Sequence, residues 1–107
     1  MKIPDPSPPC PVTACLDVIG GKWKPVILFA ISNGVDRFGA MQRALAGVSK
    51  QMLTKQLREL EAHGVITRTV FAEVPPRVEY ALTDKGCSLL PVIAAMRTWG
   101  ETHLAGR

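Results

Sequence analysis

The most regular hydrophobic pattern of the chain lies in a helix predicted between Ser49 and Gly64. On a helical wheel of about 100° per residue with Leu53 at the origin, Leu57 falls near ~40° and Leu60 near ~340°. The leucines therefore form one apolar stripe, which a surface helix turns toward the core. Ser49 is a favoured N-cap residue, and Gly64 suits the left-handed position that ends many helices. The pattern predicts an amphipathic helix that packs on its leucines.

The opposite face of this helix carries hydrogen-bond donors and positive charge. Between about 100° and about 200° on the same wheel lie Thr54, Arg58, Gln51 and Lys55. The two acids of the segment, Glu59 and Glu61, fall on the flanks. Donors and cations with little acid are what a helix in the major groove of DNA must offer to base edges. A solvated helix that happens to be basic is the competing interpretation of this segment alone.

Two further helices are predicted upstream. Pro11 suits the first position of a helix, which makes Cys10 its N-cap, and Gly20-Gly21 ends that helix. Its apolar face holds Val12, Leu16 and Ile19. The second helix runs from Lys22 to about Ile31 and is apolar nearly all round. We therefore expect it to be a buried central helix.

A short strand and a third helix are predicted between the second helix and Ser49. The strand would lie at Asp36-Arg37-Phe38. The third helix is ended by Gly47 and is marked, at helical spacing, by Met41, Ala44, Leu45 and Val48. This helix, a turn at Gly47-Val48 and the helix from Ser49 fit a helix-turn-helix unit.

Residues 65–82 have the alternation of a β-hairpin. The second strand has Val78, Tyr80 and Leu82 on an inner face and Arg77, Glu79 and Ala81 on an outer one. Pro75-Pro76 cannot donate to a ladder and belongs at the tip between the strands. Thr83 and Asp84 then start a last helical segment. Along that segment Leu89, Val92, Met96, Trp99 and His103 follow a three-four spacing.

In this order, the elements predict a mainly α fold with a small β-hairpin wing: an α+β winged helix-turn-helix with N- and C-terminal dimerisation helices. Residues 1–9, with four prolines, form an extended arm before a single domain of residues 10–107. The apolar stripe of the last segment either covers the core or joins two subunits. As residues of a dimer interface we select Leu89, Val92, Met96 and Trp99.

Positive charge is concentrated in the centre of the chain. The net charge is +4, from 13 basic and 9 acidic residues, and nine Lys/Arg stand against four Asp/Glu between Lys22 and Arg77. This is the electrostatic footprint of nucleic-acid binding. Candidate DNA contacts on the helix are Ser49, Lys50, Gln51, Thr54, Lys55 and Arg58. Candidate contacts at the wing and flank are Arg37, Arg68 and Arg77, although Arg77 could instead pair with Glu79 or Glu73.

Several classes of protein have no support in the sequence. There is no nucleophile–base pair, metal-ligand cluster or cofactor loop, so we expect neither an enzyme nor a cofactor or metal site. The N-terminal residues have no apolar region of the kind that signal peptides contain, and no apolar run approaches the roughly 20 residues of a membrane span. We therefore expect a cytoplasmic protein without a membrane partner. A protein-interaction module and a non-specific architectural DNA-binding protein remain alternatives to a sequence-specific regulator.

A series of short motifs runs through nearly the whole chain. They are Cys10-Pro11, Gly20-Gly21-Lys22-Trp23, Arg37-Phe38, the stretches 48–54, 57–61 and 64–66, Pro75-Pro76-Arg77-Val78-Glu79-Tyr80, the stretch 82–86, and Trp99-Gly100. In this order they resemble the HxlR-type transcriptional regulators, winged-helix proteins related to the MarR group. The resemblance implies a homodimer on a palindromic double-stranded DNA operator, controlled by an effector that the sequence does not identify. It also implies that Ser49–Arg58 is the recognition helix and Glu73–Arg77 the wing.

Cys10 is the candidate for redox or electrophile sensing. The resemblance implies this role, because some members respond to oxidants through a cysteine followed by proline near the N-terminus. A thiol at an N-cap is exposed to the positive end of the helix, which lowers its pKa, whereas burial against a partner would raise it. Cys15 is expected to be a buried small hydrophobe. Nothing is assigned to Cys87.

Overall fold

Helices precede and follow one antiparallel hairpin in residues 10–104, the part of the chain that this computed structural model describes. The helices are α1 (Pro11–Ile19), α2 (Lys24–Ser32), α3 (Phe38–Ala44), α4 (Lys50–Ala62), α5 (Asp84–Cys87) and α6 (Leu90–His103). The strands are β1 (Ile66–Phe71) and β2 (Arg77–Leu82). The predicted α+β winged helix-turn-helix is confirmed. The extended arm predicted for residues 1–9 lies outside the described residues.

The core forms around α2, as its nearly uniform apolar character predicts. Ile27 and Leu28 of α2 are fully buried, and the leucine stripe of α4 belongs to the same core cluster. Leu53, Leu57 and Leu60 are 0%, 2% and 0% exposed. Burying one such side chain contributes about 1.5–3 kcal/mol. The stripe therefore fixes which face of α4 points outward.

The helix-turn-helix unit starts differently from the prediction. The prediction of a short strand at Asp36-Arg37-Phe38 is wrong, because Phe38 is already the first residue of α3. The Arg37 carbonyl accepts a helical hydrogen bond from the Met41 N–H at 2.9 Å. Strand-like pairing is reduced to one bond, from the Tyr80 N–H to the Asp36 carbonyl at 2.9 Å. That bond ties the start of α3 to the hairpin.

The third helix is also shorter than predicted. It ends at Ala44, because Leu45 leaves the helical region with φ −99° and ψ 86°. Gly47 then adopts φ 90°, a left-handed value that glycine takes without strain. The Val48 N–H donates to the Leu45 carbonyl at 3.1 Å and closes the turn. Leu45 and Val48 are still buried, so their apolar spacing marked the core but not the helix.

The last helical segment consists of two helices rather than one. Thr83 caps α5 as predicted, since its Oγ1 accepts a hydrogen bond from the Gly86 N–H at 3.0 Å. A new helix starts at Leu90, because Pro91 lacks an N–H and fits the first turn of a helix. Even α6, with 14 residues, is too short to cross a membrane, and so is every other helix within residues 10–104.

The hairpin packs one end on the helices and extends the other away from them. Its strands pair from Ile66↔Leu82 to Phe71↔Arg77. Near the helices Ile66 and Tyr80 are buried, whereas Val70 is 54% exposed. Pro75-Pro76 lie in the connection between the strands, as predicted. The outer part of the hairpin is thus a wing that follows α4 in the chain.

Candidate nucleic-acid interface

The candidate recognition surface is the outward face of α4, a helix whose N-cap residue is Ser49. The Ser49 hydroxyl oxygen accepts a hydrogen bond from the Met52 N–H at 3.0 Å. The half-buried Thr54 donates its hydroxyl to the Lys50 carbonyl at 2.8 Å. Two of the six helix residues predicted to contact DNA therefore already have partners within the protein. Their hydroxyls order the helix start.

The outward face of α4 brings the predicted contact residues into one groove of about 620 Å³. The groove is lined by Lys50, Gln51, Thr54, Lys55, Arg58 and Glu59. The cations Lys50, Lys55 and Arg58 are exposed, and none of them has an ion-pair partner among residues 10–104. Uncompensated cations beside the amide of Gln51 suit both phosphates and base edges.

A second cleft, of about 430 Å³, separates α4 from the hairpin. It is lined by Phe38, Lys50, Thr54, Leu57, Arg58, Glu61, Arg68 and Tyr80. Arg68 projects from β1 and is exposed, without an ion-pair partner in the described part of the chain. The cleft thus holds three cations and one acid, a composition that attracts a phosphate group.

The other two predicted wing cations have carboxylates beside them. Arg77 contacts Glu79 at 2.6 Å and Glu73 at 3.1 Å, and its guanidinium lies 4.0 Å from the centre of the Phe71 ring. Arg37 lies 3.9 Å from the same Glu79 carboxylate. This cluster carries no net charge. The ion pair considered as an alternative for Arg77 is therefore present in the fold.

An ion pair that the sequence reasoning missed joins α2 to α4. Lys24, whose side chain is 10% exposed, places its Nζ 2.8 Å from Glu59 Oε1. The hydrogen bond from Lys24 holds the pKa of the Glu59 carboxyl below its usual range, and the charge of Lys24 adds to the effect. The signal in the sequence is a lysine at the start of an otherwise apolar, buried helix, since buried lysines need a partner.

The predicted dimerisation helices present one apolar face. Side chains of α1 and α6 line a shared groove of about 390 Å³, among them Val12, Leu16, Val92 and Met96. These four are 68%, 57%, 41% and 48% exposed, and Trp99 is 59% exposed. Leu89 instead packs against the core of its own chain. The structure therefore separates Leu89 from the three other residues selected for the dimer interface.

The three cysteines have different environments. Cys10 is exposed at the N-cap of α1, and the backbone N–H groups of Thr13 and Val12 lower its pKa because they stabilise the thiolate. The Cys10 sulfur does not accept a capping hydrogen bond that meets the usual geometric limits. Cys15 is half-buried against the core rather than fully buried, and Cys87 is exposed.

A helix-turn-helix whose second helix shows an exposed basic face, followed by a hairpin wing, defines the winged-helix class of DNA-binding proteins. The sequence model of the HxlR-like helix-turn-helix family matches residues 18–107, and the chain belongs to that family. This confirms the resemblance seen in the sequence motifs.

The chain is also similar to proteins described as regulators of transcription or of redox response. The HTH-type transcriptional regulator YybR of Bacillus subtilis (strain 168) is 47% identical over 94 residues, which are 88% of this chain and 75% of YybR. The redox regulator HypR in its reduced form has a TM-score of 0.85 at 45% identity, covering 90% of this chain and 95% of HypR. A MarR-family structure from Enterococcus faecalis V583 has a TM-score of 0.76 at 41% identity, over 85% and 83% of the two chains. The chain is thus a DNA-binding transcriptional regulator.

Proposed function

We propose that the protein is a sequence-specific regulator that binds an inverted-repeat operator as a homodimer, in the cytoplasm and without enzymatic activity. The observation that carries the proposal is the groove on the outward face of α4, where Lys50, Lys55 and Arg58 lie beside Gln51 and have no ion-pair partner among residues 10–104. Because the leucine stripe holds the opposite face in the core, this face is the one available to the major groove.

Within this groove the side chains have separate tasks. Gln51 can pair with adenine through both ends of its amide, and Arg58 or Lys55 can donate to the acceptors of guanine. Lys50, at the helix start, contacts a phosphate together with Arg68 from across the cleft. Ser49 and Thr54 fix the helix start through their backbone hydrogen bonds. Arg37 and Arg77 hold the wing through Glu79.

The apolar face of α1 and α6 supports a homodimer. Val12, Leu16, Met96 and Trp99 would all remain largely exposed in a monomer, and patches of this kind mark interaction sites. Pairing two copies through this face would place two recognition helices at a fixed separation. A two-fold dimer then reads two half-sites about one helical turn, or a multiple of it, apart.

Cys10 is the proposed sensor of oxidants or electrophiles. Its exposed thiol and lowered pKa favour the reactive thiolate. Oxidation by a peroxide would convert the thiolate to a sulfenic acid at the start of α1, whose apolar face belongs to the proposed dimer interface. HypR, with 45% identity, is a redox regulator. That property of HypR supports the proposal for this chain.

Binding measured over a range of salt concentrations tests the proposal. From a random duplex library, the protein should select an inverted repeat and bind it at least a thousandfold more tightly than random DNA, in the range of specific regulators. Affinity should fall steeply with salt, by about 0.9 logarithmic units per unit of log salt for each phosphate contact. A steep loss of affinity with salt but no sequence preference would indicate an architectural protein, and no steep loss with salt would indicate a protein-interaction module.

Variants of the outward face of α4 test whether this helix contacts the bases of the operator. Arg58→Ala and Lys55→Ala should weaken operator binding, and Gln51→Ala should lose about 1–3 kcal/mol of discrimination at one base position. If all three bind operator and random duplexes as the parent does, α4 is not the element that reads DNA.

A further inference from the structure

Glu59 occupies an unfavourable position for a DNA-binding helix. It lines the same outward groove of α4 as the cations Lys55 and Arg58, and its side chain is 40% exposed. A carboxylate at the edge of a surface that meets phosphates repels them, unless another charge compensates it. Glu59 is one turn after Lys55 and directly follows Arg58, so its charge bears on both residues.

Lys24 supplies that compensating charge from behind the surface. It is the first residue of α2, its side chain is 10% exposed, and its Nζ reaches Glu59 Oε1 at 2.8 Å. Since Lys24 belongs to the buried side of the molecule, it is too enclosed to contact DNA itself. The contact between Lys24 and Glu59 is the only ion pair between α2 and α4 within residues 10–104. The contact also fixes the side chain of Glu59 on α4, a helix that otherwise packs on the core through its leucines.

We propose that Lys24 is a positioning residue for DNA binding, which neutralises Glu59 at the rim of the recognition surface and so permits phosphates to approach α4. The proposal rests on the proposed function of α4. The proposal predicts that removing Lys24 weakens DNA binding because the Glu59 carboxylate is then uncompensated, and not because the lysine itself is lost.

The double-mutant cycle of Lys24→Met and Glu59→Gln tests this prediction on a 30-bp random-sequence duplex at low salt and on the selected operator. Lys24→Met should weaken binding to both DNAs by roughly fivefold, the effect of about one unscreened surface charge contact. Glu59→Gln should bind at least as tightly as the parent protein. The double variant should recover parental affinity, because no uncompensated carboxylate remains. Lys22→Met is the matched control, since Lys22 is exposed nearby, stacks on Trp23 at 4.9 Å and should bind like the parent.

The pH dependence gives a readout that a purely structural role of Lys24 would not change. Glu59 is faced by Lys24, Lys55 and His63, and Lys24 lowers its pKa the most. In Lys24→Met the carboxyl titrates nearer its ordinary value, so its protonation at about pH 5 should partly restore binding. The parent protein measured at the same pH values is the reference, so a recovery seen in Lys24→Met alone comes from the Glu59 carboxyl.

Several results would overturn the proposal. Lys24→Met could bind as the parent does, or the double variant could remain as weak as Lys24→Met at equal thermal stability. If Lys24→Met does not fold, the double variant still decides, because its failure to bind at full helicity would contradict a role through Glu59. A parent protein that binds neither DNA would instead reject the proposed function itself.

Discussion

Arg68 and Arg77 lie on the two strands of one wing, yet of the two only Arg77 forms ion pairs within residues 10–104. The guanidinium of Arg77 contacts Glu79 at 2.6 Å and Glu73 at 3.1 Å. A cation compensated twice gains little from a phosphate, since it must first lose these partners. Arg68 has no such competition among residues 10–104 and faces the cleft beside α4. We therefore expect the two arginines to respond differently to mutation.

Arg77→Ala should leave the salt dependence of DNA binding unchanged, whereas Arg68→Ala should reduce its slope by about one unit. The partly exposed ion pairs of Arg77 should contribute about 0–1 kcal/mol to the stability of the folded protein. Fluorescence anisotropy at four or more salt concentrations measures both slopes. A slope reduced by Arg77→Ala and not by Arg68→Ala would exchange the roles that we assign.

Cys10 differs from an ordinary cysteine because the N–H groups of Thr13 and Val12 stabilise its thiolate. In a protein that keeps only this cysteine, alkylation by iodoacetamide should become fast at a lower pH than in a cysteine peptide, since the thiolate is the reacting form. The rate measured from pH 5 to 10 gives the apparent pKa directly. A profile that coincides with the peptide would show that the helix start does not activate the thiol.

The same residue links chemistry to regulation. Hydrogen peroxide, which oxidises the Cys10 thiolate to a sulfenic acid and is itself reduced to water, should release the parent protein from its operator. Dithiothreitol should reduce the sulfenic acid and restore binding. Cys10→Ser should bind and not respond, while Cys15→Ser and Cys87→Ser respond as the parent does. Loss of affinity in Cys10→Ser without any oxidant would assign Cys10 a structural role at the N-cap.

At the scale of elements, the sequence was most informative where one face of a helix is buried. The leucine stripe and the Ser49 cap predicted α4 almost to the residue, because burial and capping both leave local patterns. Leu45 and Val48 show the opposite case. They are buried and have helical spacing in the sequence, yet they lie in the turn after α3. Spacing reports burial, whereas the helix ends where the backbone of Leu45 leaves the helical region.

Contacts between distant elements could not be predicted in the same way. Lys24 is the first residue of α2 and Glu59 lies near the end of α4, so α3 and the turn come between them in the sequence. Only the packing of α2 against α4 brings them together. The site residues on α4 share a face because of helical period alone, so their grouping was predictable. The compensation of Arg37 depends on how β2 returns beside α3, which no local pattern encodes.

At the scale of the whole molecule, α1 and α6 form one surface that no other part of residues 10–104 covers. Val12 and Leu16 of α1 line the same groove as Val92 and Met96 of α6. Burying such a surface against a second copy would add to the small core of a 107-residue chain. Cys10 lies at the start of this surface, so in the proposed dimer a chemical change there would act on how the two subunits are arranged rather than on α4 directly.

Met96→Glu should therefore dissociate the proposed dimer. A charge placed in an apolar interface without a partner costs several kcal/mol, which corresponds to roughly a hundredfold or greater rise in the dimer dissociation constant. Sedimentation velocity measures the assembly, and anisotropy measures operator binding. We expect a folded monomer that keeps salt-dependent binding to random DNA, because α4 is untouched, but loses most of its affinity for the inverted repeat.

Thr98→Glu provides the matched control, since Thr98 is exposed on the same helix but lines a separate groove toward α2. It introduces the same charge and should remain a dimer with parental operator affinity. If both variants dissociate, the interface covers the α2 side of α6 as well. If Met96→Glu stays dimeric and binds the inverted repeat normally, two subunits meet elsewhere, and the exposed face of α1 and α6 requires another explanation.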